Sequence, residues 1–116
     1  MPAKLRPADP AAVAESLRSP SRSVDDERLL TKHFLAVLAE RAPGRSVEVR
    51  VPPYAAAQVV AGIRHTRGTP PAVVEMAPGT WIALATGELS WAEAEQSGAL
   101  AASGERADLT AYLPLV

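Results

Sequence analysis

The residues of this chain best suited to chemistry lie together in one short polar stretch, Arg64-His65-Thr66-Arg67-Gly68-Thr69-Pro70-Pro71. Its guanidinium, imidazole and hydroxyl groups supply many hydrogen-bond donors, and it contains no carboxylate. Such a set suits an anionic group or a carbonyl-rich partner. The candidate ligand contacts are therefore Arg64, His65, Thr66, Arg67 and Thr69. A second interpretation is a solvated loop whose charges keep a sheet edge soluble.

Familiar motifs for catalysis, phosphate binding and metal binding are absent from the sequence. It has no G-x-G-x-x-G, no G-x-x-x-x-G-K-[ST], no G-x-S-x-G and no cysteine. The two histidines, His33 and His65, are far apart in the chain, whereas a metal site needs three or four ligands. His33 falls beside an apolar helix stripe and is interpreted as a boundary residue that packs its ring. We expect no metal, no cofactor and no enzymatic activity; a catalytic role for His65 is the last alternative.

Two tryptophans head consecutive predicted helices. Apolar residues separate Trp81 from Trp91, a pattern typical of two helices packed against a sheet. The alternative is that they wall an apolar cavity, because a core of alanine and valine with a single phenylalanine can leave a void. Both tryptophans therefore join the candidate ligand contacts.

Length, charge and composition limit the class of protein. At 116 residues the chain fits one domain with a real core, and an aromatic content of 4% predicts small interior side chains. A formal charge of -1 supplies no basic field, so nucleic acid is not an expected partner. The sequence contains no run of about eighteen apolar residues, so no membrane span is predicted. The lack of cysteine fits a reducing compartment, and the N-terminal residues do not predict a signal peptide, so the protein is expected to be soluble and cytoplasmic. Its oligomeric state is left undecided.

The first 22 residues predict a flexible N-terminal segment with a short helix, and residues 23–116 predict the folded domain. Asp9 is placed to cap the short helix and Pro10 suits its first position. A longer helix begins after Ser23, which can cap it, and acidic residues crowd its first turn. Pro43-Gly44 ends this second helix.

The remaining chain predicts strands and short helices. Alternating valines indicate a half-buried strand from Val47 to Val51, and the run Ala55–Ala61 predicts a second strand paired antiparallel with it through a Pro-Pro-Tyr turn. Further strands are predicted over Ala72–Met76 and Leu100–Ser103. Helices are predicted after Pro78, ending at Gly87, after Ser90, and as a last turn capped by Asp108. The fold class is α+β, a mainly antiparallel sheet of four to five strands covered by helices on one side.

Several of these segments resemble the small actinobacterial proteins of the sterol carrier protein family. The resemblance covers about residues 24 to 116 and is carried by Arg64-His65-Thr66-Arg67-Gly68-Thr69-Pro70-Pro71, by Thr80-Trp81-Ile82-Ala83-Leu84-Ala85-Thr86-Gly87-Glu88-Leu89-Ser90-Trp91, by Ser103-Gly104-Glu105-Arg106-Ala107-Asp108-Leu109 and by Tyr112-Leu113-Pro114-Leu115. It implies helices that cover a mainly antiparallel sheet and, in eukaryotic relatives, enclose a lipid tunnel.

Two functions from different classes follow. The first is a non-enzymatic carrier that takes a lipid or other apolar small molecule between helices and sheet, with Arg64, His65 and Arg67 meeting its polar head. The second is an interaction or regulatory module whose Arg64 and Arg67 loop docks an anionic metabolite or a partner protein. A continuous apolar void near Trp81 and Trp91 would favour the carrier, and a solid core would favour the module.

Overall fold

The computed structural model describes residues 4–62, 72–104 and 107–116. Four α-helices, four strands and one 3₁₀ helix are found in these ranges. In chain order they are α1 (Pro10–Arg18), α2 (Val24–Arg41), β1 (Val47–Val51), β2 (Ala55–Val59), β3 (Ala72–Met76), α3 (Pro78–Thr86), α4 (Trp91–Gln96), β4 (Leu100–Ser103) and the 3₁₀ helix Thr110–Tyr112.

Helix α2 begins where its capping residues predict. The Ser23 hydroxyl accepts from the Asp26 amide at 3.1 Å, and the Asp26 carboxylate accepts from the Ser23 amide at 3.1 Å. This reciprocal pair satisfies two amides that the first turn cannot use. The helix ends at Arg41, just before Pro43-Gly44, and buries Leu30, Phe34, Leu35 and Leu38. The predicted helix is confirmed at both ends.

The strands form one mixed sheet in the order β2-β1-β3-β4. β1 pairs antiparallel with β2, as predicted, and β3 pairs antiparallel with β4. The central pair, β1 with β3, is parallel, with Val49 opposite Val74. Alternate residues of β1 point inward, since Val47, Val49 and Val51 have no exposed surface while Arg50 is exposed. The α+β class and the mainly antiparallel sheet with helices on one side are confirmed.

Strand β2 ends two residues earlier than the predicted Ala61, and this is a correction. Val60 adopts a left-handed conformation, with φ of 66°, which turns its backbone out of the ladder. Its amide donates to the Ala42 carbonyl at 2.6 Å, and its carbonyl accepts from the Ser46 amide at 3.0 Å. Bonds to the α2–β1 connection therefore replace strand pairing.

Both ends of the described chain dock on this framework. In α1, Asp9 caps the helix as predicted and Val13 is only 8% exposed. At the other end the Leu115 amide donates to the Ala85 carbonyl of α3 at 2.8 Å. Leu109 and Leu115 are buried in the core. Within the described residues no helix combines the length and the apolar character needed to cross a membrane.

Candidate functional site

An open groove of about 750 Å³ runs along β2, between that strand and α2. Its walls come from the stretch before α1, from the second half of α2 with the turn that follows it, and from β2. The lining residues are Lys4, Leu5, Ala36, Ala39, Glu40, Pro43, Arg45, Ala56, Ala57 and Gln58. This feature is called the alanine groove below.

Four alanines leave the space of the groove unfilled. Ala36 and Ala39 project from α2, and Ala56 and Ala57 are neighbours on β2. Adjacent strand residues point to opposite faces, so a groove lined by both must run along the edge of the strand. A methyl group at each position is too small to fill the gap between helix and strand that larger side chains would occupy. The groove is therefore a direct result of the alanine-rich composition.

Three exposed charged side chains stand at the rim of the groove, Lys4, Glu40 and Arg45. The ion pairs formed among the described residues, at 2.9 and 3.4 Å, lie elsewhere. Within the described ranges, none of the three rim charges is therefore matched by an opposite charge in contact. The arrangement offers an apolar floor and a polar rim, which is how small-molecule sites combine affinity with orientation.

A second, smaller cleft of about 240 Å³ lies against Trp91. Its other walls come from α3, from the turn after it and from the C-terminal stretch: Leu84, Gly87, Leu89, Ser90, Thr110, Leu113 and Pro114. Trp91 is only 6% exposed, and its Nε1 has no hydrogen-bond partner among the described residues. The cleft therefore borders a buried indole N–H that has no acceptor among the described residues.

Trp81 has different surroundings. It has no exposed surface, and its Nε1 donates to the Thr31 carbonyl of α2 at 3.3 Å. The indole joins α3 to α2 inside the core, which agrees with the packing interpretation of the sequence pattern. Trp81 is therefore packed in the core, whereas Trp91 lies beside a cleft.

The basic stretch predicted to meet a ligand lies outside the described residues. Arg64, His65, Thr66, Arg67 and Thr69 therefore stay candidate ligand contacts on sequence grounds. In the sequence, Arg64 follows Gly62 by two positions, and Gly62 is the last described residue after β2.

Sequence reasoning missed the residues that form the alanine groove. Their contributions come from parts of the chain far apart in sequence, and only Ala55-Ala56-Ala57 carried a usable signal. Alanine is depleted in strands, so three in succession within one strand indicate a surface kept free of bulky side chains. Lys4 and Arg45 carried no such signal. Among the described residues no group of three or more His, Cys, Asp or Glu side chains is placed to hold a metal ion.

Comparison with known families agrees with this architecture. The family model described as "Bacterial SCP ortholog", where SCP is sterol carrier protein, matches residues 23–115. The chain belongs to this family. No curated protein matches the chain.

The family match divides the alanine groove into two parts. The SCP domain supplies α2, the turn after it and β2, all within residues 23–115. Lys4 and Leu5, with helix α1, precede the matched residues. One wall of the groove is therefore added to the SCP domain by the preceding chain.

Proposed function

We propose that this SCP-family protein is a non-enzymatic binding or carrier domain for a lipid or other apolar small molecule, and that the alanine groove holds the apolar part of the ligand. The observation that carries the proposal is the volume of the groove, about 750 Å³, within the range of about 300–1,000 Å³ typical of ligand sites. Membership of the SCP family supports the ligand class.

The polar end of the ligand has two sets of candidate partners. Arg45 stands at the rim of the groove, and the Arg64, His65 and Arg67 stretch follows β2 in sequence. Guanidinium groups bind carboxylate and phosphate through paired hydrogen bonds. An amphiphile with an anionic head and an apolar tail matches both the rim and the floor of the site.

Titration with a nitrobenzoxadiazole-labelled fatty acid tests the location. The change Ala57→Trp places a large side chain on the face of β2 that is turned toward α2, because Ala57 pairs with the buried Val49, and Ala101→Trp introduces the same side chain at an exposed position of β4. We expect saturable binding to the parent protein, weakening of tenfold or more in the β2 variant, and no change in the β4 variant. Absence of saturable binding, or equal behaviour of the two variants, would remove the groove as the site.

The head contact is tested separately. The double change Arg64→Ala with Arg67→Ala should weaken binding of the labelled fatty acid but leave binding of the matching labelled fatty alcohol unchanged, because only the acid carries a negative head. Equal loss for both probes would show that these arginines do not recognise the head.

The packing around Trp81 favours a second candidate function. Its indole is fully buried and hydrogen-bonded to α2, which is the close packing expected of an interaction or regulatory module. In that case the Arg64 and Arg67 stretch docks an anionic metabolite or an acidic partner, and apolar probes do not bind. Calorimetric titration with inorganic phosphate and with the fatty alcohol separates the two functions.

A further inference from the structure

The chain before α2 runs antiparallel along one face of that helix. Asp26, His33 and Glu40 are spaced seven residues apart on α2, close to two full turns, so they share a face. The Ser16 hydroxyl donates to the Asp26 carboxylate at 2.9 Å, and the Ala8 amide donates to His33 Nδ1 at 2.9 Å. Further along the same face, Lys4 and Glu40 line the alanine groove.

Residues 4–8, called the N-terminal strap below, depend on a single polar contact. Among the described residues, the hydrogen bond from the Ala8 amide to His33 is the one that joins the strap to the rest of the protein. Leu5 and Ala8 also pack against the core, and both remain partly exposed. The strap supplies Lys4 and Leu5 to the wall of the groove.

The contact with Ala8 requires one protonation state of His33. A neutral imidazole accepts on one ring nitrogen, whereas the protonated ring donates from both and would meet the Ala8 amide donor to donor. Partial burial lowers the pKa of His33 below its ordinary 6.5, which favours the accepting form.

The charged groups around His33 have opposing effects. On α2, Asp26 and Glu40 lie about 10 Å away along the helix axis and favour the charged ring. On the packed stretch, Arg6 and Asp9 flank Ala8 with opposite charges. Burial outweighs these charges, since the pKa of His33 is lowered rather than raised.

We propose that His33 is a pH-sensitive latch, whose neutral ring holds the N-terminal strap against α2 and whose protonation releases the strap together with one wall of the alanine groove. The latch stands on the Ala8 and His33 contact; its effect on ligand affinity rests on the proposed function.

The sign and size of the effect follow from linkage. The closed strap disfavours the protonated ring, because burial holds the pKa of His33 below its ordinary 6.5. The closed state is therefore fully favoured above that value and is lost as the pH falls below it. Between about pH 7.5 and pH 5.5 the ratio of open to closed strap should rise, with about tenfold as the upper limit that complete exclusion of the proton would give.

Hydrogen exchange of the Ala8 amide, measured by NMR on the full chain without ligand and corrected for intrinsic exchange, tests the latch. The change His33→Asn keeps an acceptor but removes the titration. Protection of Ala8 should fall between about pH 7.5 and pH 5.5 in the parent, by up to about tenfold, and stay constant in this variant, while protection of Val49 in β1 reports the intact core. Constant protection in the parent, or the same fall in the variant, would overturn the latch.

The effect on the groove is measured with the labelled fatty alcohol, whose own charge does not change with pH. Its affinity should fall over the same pH range in the parent and not in the His33→Asn variant. Release of the strap without a change in affinity would overturn the coupling between latch and groove. If the probe binds at no pH, the proposed function fails while the Ala8 measurement still decides the latch.

Discussion

A close backbone crossing between Gly44 and Val60 holds one end of the alanine groove in place. Gly44 lies between Pro43 and Arg45, which line the groove, and has φ of 153°. A Cβ on Gly44 would lie 2.2 Å from both the carbonyl carbon and the carbonyl oxygen of Val60. These are backbone atoms, so no side-chain rotation can relieve the overlap, and Gly44→Ala must push the two segments apart.

The cost can be worked out from the bonds at this crossing. Separation stretches the bond from the Val60 amide to Ala42 at 2.6 Å, and the two bonds from the Ser46 amide and hydroxyl to the Val60 carbonyl at 3.0 and 2.6 Å. At about 1 kcal/mol each, with added loss of packing, Gly44→Ala should lower the free energy of unfolding by about 3–5 kcal/mol. In a domain of this size the midpoint temperature should fall by at least about 10 °C.

Gly79→Ala is the matched control. Gly79 lies in the first turn of α3, and a Cβ there would meet no atom within 4 Å, so the change should be neutral or stabilise by up to about 1 kcal/mol. Urea unfolding followed by tryptophan emission compares both variants with the parent, because Trp81 is fully buried. A Gly44→Ala protein within about 1 kcal/mol of the parent would refute the crossing as an important constraint.

Three further outcomes are expected. Val13→Ala should cost about 1–3 kcal/mol in urea unfolding, because Val13 is 8% exposed and docks α1; no loss would instead match a flexible N-terminal segment. Thr31→Val should stabilise by about 1 kcal/mol in thermal unfolding, since the buried Thr31 hydroxyl has no partner among the described residues; destabilisation would reveal one. Hydrogen bonds from the Ser23 amide, which has the larger effect, and from the Ser16 hydroxyl lower the pKa of Asp26 below its ordinary 3.8, so their contribution to stability is present above that pH and is lost as the pH falls through the lowered value. Asp26→Asn should therefore flatten the acid side of a stability profile measured by urea unfolding.

Local chemistry in the sequence was enough to place most elements. Ser23 with its acidic first turn and Pro43-Gly44 marked both ends of α2, and Gly87 marked the end of α3, where it adopts a left-handed φ of 83°. Alternation of valine with charged residues identified β1. These signals act within one turn or one strand, so they are readable without knowledge of what packs where.

Pairing and contact between distant segments were not readable in this way. The parallel pairing of β1 with β3 joins two strands that are separated in the chain by β2 and the residues that follow it. Val60 leaves the β2 ladder because its backbone is hydrogen-bonded to Ala42 and Ser46. A hydrophobic pattern states which face of an element is buried but not which neighbour covers it.

The candidate sites show the same division. Three properties depend on residue types and therefore follow from the sequence alone. They are the polar chemistry of Arg64 to Thr69, the shortage of bulky side chains and the resemblance to the sterol carrier family. The tertiary structure alone decided that Trp81 packs between helices, that Leu5 and Ala57 meet at one groove, and that His33 accepts the Ala8 amide. Each of those facts depends on bringing residues far apart in the chain to within a few ångströms, which only the packing of the whole domain determines.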